Sequence, residues 1–143
     1  MHISEGVLSP AVLLGGAAIA AAGVAAGLKD LDQKEIPSMG ILSAAFFVAS
    51  LIHVPVGPVS AHLILNGLLG LILGWKAFPA ILVGTALQAL LFQFGGITTL
   101  GVNTLNMALP AVICHYLFGW GLKSGSGRSV FIFAAFTSGF CAV

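Results

Sequence analysis

Charge is what this chain has least of: five Lys and Arg and four Asp and Glu among 143 residues, against 59% hydrophobic residues and a mean hydropathy of +1.12. Nine charges cannot cover a water-soluble surface, so the composition places the chain among integral membrane proteins. A net charge of +1 argues against nucleic-acid binding, which would need a clustered basic face. Cysteine is scarcer still. Cys114 and Cys141 lie in apolar runs at no motif spacing and read as small buried hydrophobes, not as a disulfide framework. No HExxH, GxSxG or phosphate-binding glycine loop occurs, and no paired acids fall in the apolar runs. Binding without chemistry is therefore the simpler account, with no organic cofactor. The first apolar run lacks a basic flank and is long enough to span a bilayer, which argues against a cleavable signal.

What the chain does have is apolar runs of the length that crosses a hydrocarbon core roughly 30 Å thick. Spans are expected at 7–28, 37–53, 61–74, 79–94 and 105–122, with a sixth run over 130–143 that stops without finishing, as if the C-terminal part were missing. The expected fold is an all-α membrane protein, a polytopic bundle of about six or more helices forming one transmembrane domain over 1–143. The first span carries Gly23 and Gly27, a small-xxx-small pattern that admits a close neighbour, and Gly70 and Gly74 repeat it in the third. Pro37 and Pro79 suit helix starts. The third span is short for a crossing unless it begins below the membrane surface, because Pro55, Gly57 and Pro58 break the chain just before it.

All five basic residues fall in the connections after the first, third and fifth spans, which the positive-inside rule assigns to the cytoplasm. The N-terminus, the 54–60 break and the 95–104 stretch then share the outer face. The last of these is too polar for a span and too apolar for a free loop, so it is expected to fold back against the bundle.

The feature that asks for chemistry is the start, Met1-His2-Ile3-Ser4-Glu5-Gly6. A free Met1 amine, the His2 amide nitrogen and the His2 Nδ1 close a five- and a six-membered chelate ring, placing three nitrogens in one plane with a fourth position open. That set suits Ni(II) or Cu(II) better than tetrahedral Zn(II) or oxygen-seeking Mg(II) and Ca(II). Retention of Met1 is expected, since aminopeptidases trim Met before small residues and His is large. The plainer reading is that any start codon can precede His. Further along, His53 and His62 flank the proline break. His62 reads as a metal ligand and His53 as either a ligand or an interfacial residue at a helix end. Asn66, one helical turn beyond His62, either orients that histidine or bonds another helix. Ser60 and Asn103 stand in a second tier. Gln88, Gln93, Asn103 and Asn106 cluster about the polar stretch, satisfying backbone groups or closing a site from outside. Glu5 either balances a cation or serves as a helix-start carboxylate, and the second suffices. His115 with Tyr116 beside it reads as helix packing or an interhelical hydrogen bond.

Three segments together resemble the membrane-embedded, substrate-binding S components of the cobalt/nickel energy-coupling-factor importers, the CbiM/NikM family. They are the Met1-His2-Ile3 start with Glu5 and Gly6, the segment His53-Val-Pro-Val-Gly-Pro-Val-Ser-Ala-His-Leu-Ile-Leu-Asn-Gly67, and Gln93 through Asn103 with Asn106 through Pro110. The resemblance implies a transported metal held by Met1, His2 and His62, under outer loops at 54–60 and 95–104. It favours the nickel branch, with Co(II) for cobalamin synthesis as the alternative. A structural subunit with no metal site is the alternative of another class. The implied partners are a transmembrane coupling component, cytoplasmic ATPase subunits that supply the energy, a small accessory membrane subunit, and the bilayer of a prokaryotic inner membrane, with the N-terminus outside. The chain itself would not be an enzyme.

Overall fold

A computed structural model of the chain describes residues 3–29, 31–56, 59–62 and 65–123. Five helices carry it: α1 (Pro10–Lys29), α2 (Ile36–Leu51), α3 (Asn66–Leu73), α4 (Ala77–Phe92) and α5 (Leu100–Lys123). Short 3₁₀ turns at Gln33–Glu35 and Gly74–Lys76 lead into α2 and α4. Among the described residues, four stretches are long and apolar enough to cross a membrane: Pro10–Lys29, Gln33–Leu51, Asn66–Phe92 and Leu100–Leu117. Apart from one short hairpin, the regular elements among the described residues are helical. The sixth apolar run, Cys141 included, lies outside the described residues.

Local chemistry places the helix starts. Pro10 opens α1 and has no N–H to leave unpaired, while the Ser9 carbonyl accepts from Val12 and Leu13. Asp32 and Glu35 form a reciprocal capping box around the turn before α2, and Pro37 follows in the first turn of that helix.

Hydrogen bonds and close approaches give the helix directions. Ile3 pairs with Asn103, and Gly16 and Ala17 of α1 touch Val102 and Gly101. Gly23 and Gly27 further down α1 lie against Phe78 and the Trp75 carbonyl. Thus α1 and α5 descend together from one end, here the upper end, to the other. Ser43 donates to the Ala80 carbonyl, Phe46 packs on Gly84 and Gln88 donates to Ser50, so α2 and α4 climb side by side. Next, α3 descends beside α5, with Asn66 level with Met107, Gly70 against Ala111 and the Leu71 carbonyl bonded to His115. The apolar stretch Asn66–Phe92 is therefore not one straight rod. It reverses at Gly74, whose φ of +56° favours glycine.

The third crossing differs from the helix expected from residue 61. Residues His53–Val56 (β1) and Val59–His62 (β2) form an antiparallel hairpin, with His53 opposite His62 and Pro55 opposite Ser60. The prolines cannot continue a helical ladder, and Val54, Val56 and Val59 favour extended backbone. Helix α3 begins only at Asn66, seven residues into the length of α5, or roughly 10 Å below its start. Its eight residues span roughly 12 Å, less than half the hydrocarbon thickness. The upper half of this crossing is non-helical.

The apolar core sits low. Phe46, Leu69, Ala77, Phe78, Ala80, Ile81, Met107, Ala108, Ala111 and Val112 form one buried cluster. Both small-residue patterns serve packing within the chain: Gly23 and Gly27 receive the 75–79 corner, and Gly70 lets α3 lie on the α5 backbone. Cys114 is buried, as a small hydrophobe would be.

Candidate metal centre

The upper half is built from polar side chains that find partners inside the bundle. Thr85 Oγ1 on α4 meets Thr104 Oγ1 on α5 at 3.0 Å and also bonds the Ile81 and Leu82 carbonyls one turn back. Gln88, fully buried, donates through Nε2 to Ser50 Oγ on α2. Its carbonyl accepts the N–H groups of Gln93 and Phe94, closing α4 with Gln93 in the left-handed region at φ +56°. Without water in a membrane interior, such groups must be satisfied by one another.

The N-terminal segment is sewn onto this layer at two places. The Asn103 carboxamide takes both backbone groups of Ile3: the Ile3 N–H donates to Oδ1 at 2.8 Å, and Nδ2 donates to the Ile3 carbonyl at 3.1 Å. Nδ2 also donates to Thr99 Oγ1 at 3.2 Å, which fixes the plane of the amide. Two residues on, Glu5 Oε1 accepts from the Thr98 N–H at 3.2 Å and from the Thr98 hydroxyl at 3.3 Å. Glu5 is thus outside the first turn of α1, and the helix-start role is not the one it plays. A cavity of about 330 Å³ beside it is lined by Glu5, Ala89, Gln93, Gly95, Gly96 and Ile97. From Glu5, level with the loop 93–99, to Ile3, level with the first turn of α5, the chain heads into the bundle.

The expected site residues are distributed as follows. Met1 and His2 lie outside the described residues. His53, Ser60 and His62 are placed by their backbones in the hairpin, where the register sets His53 opposite His62. Because His62 ends β2 and Asn66 opens α3, the two do not share a helix face, and the expected one-turn relation between them is replaced by a strand-to-helix junction. Asn66 is buried, with Nδ2 donating to the Met107 carbonyl at 3.5 Å and Oδ1 accepting from the Gly67 N–H at 3.2 Å. Asn103 is 3% exposed. Asn106 faces outward, apart from the polar layer. His115 bonds the Leu71 carbonyl through Nδ1 at 3.3 Å and lies edge-on to Tyr116, an interhelical contact in the lower half. Helix α5 begins at Leu100, so the connection after α4 is 93–99 and the rest of the 95–104 stretch is helical.

Sequence reasoning passed over Thr85, Thr98, Thr99, Thr104 and Ser50. One signal was available: Thr99 and Asn103 are a helical turn apart at the polar end of an apolar run.

A family model described as CbiM, cobalt uptake substrate-specific transmembrane region, matches residues 2–143. The chain belongs to this family. Among CbiM relatives, a Haemophilus influenzae protein named for metal transport is 57% identical over 118 residues, covering 82% of this chain and 57% of that protein. The cobalt transport protein CbiM of Clostridium tetani is 36% identical, over 97% of this chain and 61% of its own length. The fused nickel transport protein NikMN of Rhodobacter capsulatus is 35% identical, over 91% and 40%. The chain therefore spans about half the length of the curated relatives it matches. A solved structure of a truncated transition metal transporter superposes with a TM-score of 0.81 at 30% identity, covering 99% of this chain and 70% of that one. Four apolar spans in a family of transmembrane regions make this CbiM relative a membrane protein.

Proposed function

We propose that the chain is the substrate-binding membrane component of a transition-metal importer, taking up Ni(II), with Co(II) as the second substrate the relatives' names support. The cation is held by the Met1 amine, the amide and Nδ1 of His2, and the His62 imidazole, an all-nitrogen set that suits Ni(II). One observation carries this reading: Ile3, the residue directly after the chelating pair, is drawn into the bundle and held on both backbone groups by a buried asparagine. Binding such a cation displaces protons from its donors, so affinity rises with pH.

The chain's own part is capture and orientation, with no bond-making chemistry. Cytoplasmic ATPases acting through a transmembrane coupling component, with a small accessory subunit, drive release inward. The upper end faces outward: Lys29, Lys34, Lys76 and Lys123 all sit in elements at the lower end, which the positive-inside rule assigns to the cytoplasm of a prokaryotic inner membrane.

Placing one Ala between Met1 and His2 restructures the chelate and leaves every span intact. Purified protein so altered is expected to lose tight Ni(II) binding, read by metal content and visible absorption. Unchanged affinity would remove the N-terminal site, and His62→Ala with binding retained would move the fourth ligand to His53. Parallel metal contents after growth in Ni(II) and in Co(II) separate the two substrates.

A further inference from the structure

A peptide entering a site from one end has a freedom that a side chain on a helix lacks: it can slide. One residue of extended chain is about 3.3 Å, whereas a metal–nitrogen bond is about 2.1 Å. A slip of one residue therefore separates the N-terminal donors from any ligand fixed in the bundle by more than a whole bond length.

The contact at Ile3 is suited to stop such a slip. A carboxamide offers one acceptor and one donor face, and Asn103 uses both on the two backbone groups of one residue, Ile3. Thr99 holds the amide in its plane, and burial excludes competing water. The Glu5–Thr98 bonds make a second hook two residues up the chain. We propose that Asn103 is a depth stop, a positioning residue that fixes how far the amino terminus enters the bundle and hence the register between the Met1 and His2 donors and the fourth ligand. This rests on the metal-binding reading above. The same contact occupies the Ile3 N–H, keeping the next backbone nitrogen from competing with the His2 imidazole.

The test measures Ni(II) affinity by chelator competition, and the visible absorption band of planar Ni(II), on the purified full-length protein. Inserting one Gly between His2 and Ile3 keeps Met1-His2 as a chelating pair and keeps Asn103, but displaces the pair by one residue. Affinity is expected to fall at least tenfold and the band to shift toward a three-nitrogen species. Asn103→Leu, which removes both hydrogen bonds, is expected to do the same, with Asn103→Asp, which keeps only the acceptor, in between. The Gly insertion is expected to cost little more in the Asn103→Leu background than that substitution alone, because the stop is already gone. A Gly insertion that leaves affinity and band unchanged overturns the proposal, whether or not Asn103→Leu folds, and so does full additivity of the two changes. His2→Ala separates this from failure of the site: if it binds Ni(II) like the parent, the chelate reading itself falls, whereas loss in His2→Ala with an indifferent Gly insertion sinks the depth stop alone. Ser43→Ala, which removes a buried hydrogen bond to the Ala80 carbonyl in the lower half, is expected to lower the melting temperature with the band unmoved; a band shift equal to that of Asn103→Leu would reduce Asn103 to a structural residue.

Discussion

The two halves of the bundle solve the same problem, burying side chains where no water reaches, by different means. Below, Phe46, Leu69, Phe78, Ile81, Ala108 and Ala111 pack by shape, and glycines bring backbones together. Above, Ser50 and Gln88, and Thr85 and Thr104, are buried by pairing across helices, while Thr99 and Asn103 pair with each other and Asn103 with the N-terminal segment. Packing by shape tolerates almost no added volume. A polar layer tolerates volume better, but each member depends on a particular partner, and an unpaired group costs more than a pair contributes. The lower half is thus suited to holding the helices, and the upper half to holding an inserted segment in one arrangement.

Four changes would break or sharpen this contrast. The largest effect is expected from Gly70→Val, because even a Cβ at that position would overlap the Ala111 carbonyl. It should cost about 3 kcal/mol or more, read as loss of folded protein or a steep drop in melting temperature in detergent. Gln88→Leu comes next in the upper half: similar in volume but without the bond to Ser50, it should cost about 2 kcal/mol by thermal unfolding. If Gln88→Leu were neutral, the upper layer would be packing by shape after all. Thr85→Val keeps the shape and removes the bond to Thr104, and about 1 kcal/mol is expected. The smallest effect lies at the lower surface, where Lys76 and Glu35 pair at 2.5 Å. The Lys76 ammonium and the Asp32 N–H hold the Glu35 carboxyl below its ordinary value of 4.5. Its contribution is therefore present above that value and lost as pH falls through the lowered one. The pair is exposed and screened, so Glu35→Gln should shift the melting temperature slightly at neutral pH and by less as the pH is lowered through the carboxyl's own titration, and a shift that does not shrink with falling pH would show the pair is not its source.

Much of the scaffold was legible residue by residue. Pro37 and Pro79 marked the beginnings of α2 and α4 because a proline in a first turn leaves no hydrogen bond unmade, and Gly23 and Gly27 announced a close neighbour. The third crossing was legible only in outline. Pro55 and Pro58 showed that a helix had to break, but the same residues fit a disordered loop, a kink or the hairpin that forms. At the candidate site, Asn103 was visible as a polar residue near a polar stretch, and its partner was not, since a backbone group at Ile3 has no mark in a sequence.

By itself the sequence determined the membrane class and the rough limits of the long helices up to 123, though it counted five spans where four stretches among the described residues suffice to cross. These depend on sums of hydrophobicity over about twenty residues, a local property. Tertiary structure alone decided that the third crossing is helical only in its lower half, that a threonine on α4 faces a threonine on α5, and that Asn103 meets a residue 100 positions away. Helix α4 is apolar nearly all round, so no periodicity marks its inward face. Which polar group finds which then depends on how the helices lie against one another.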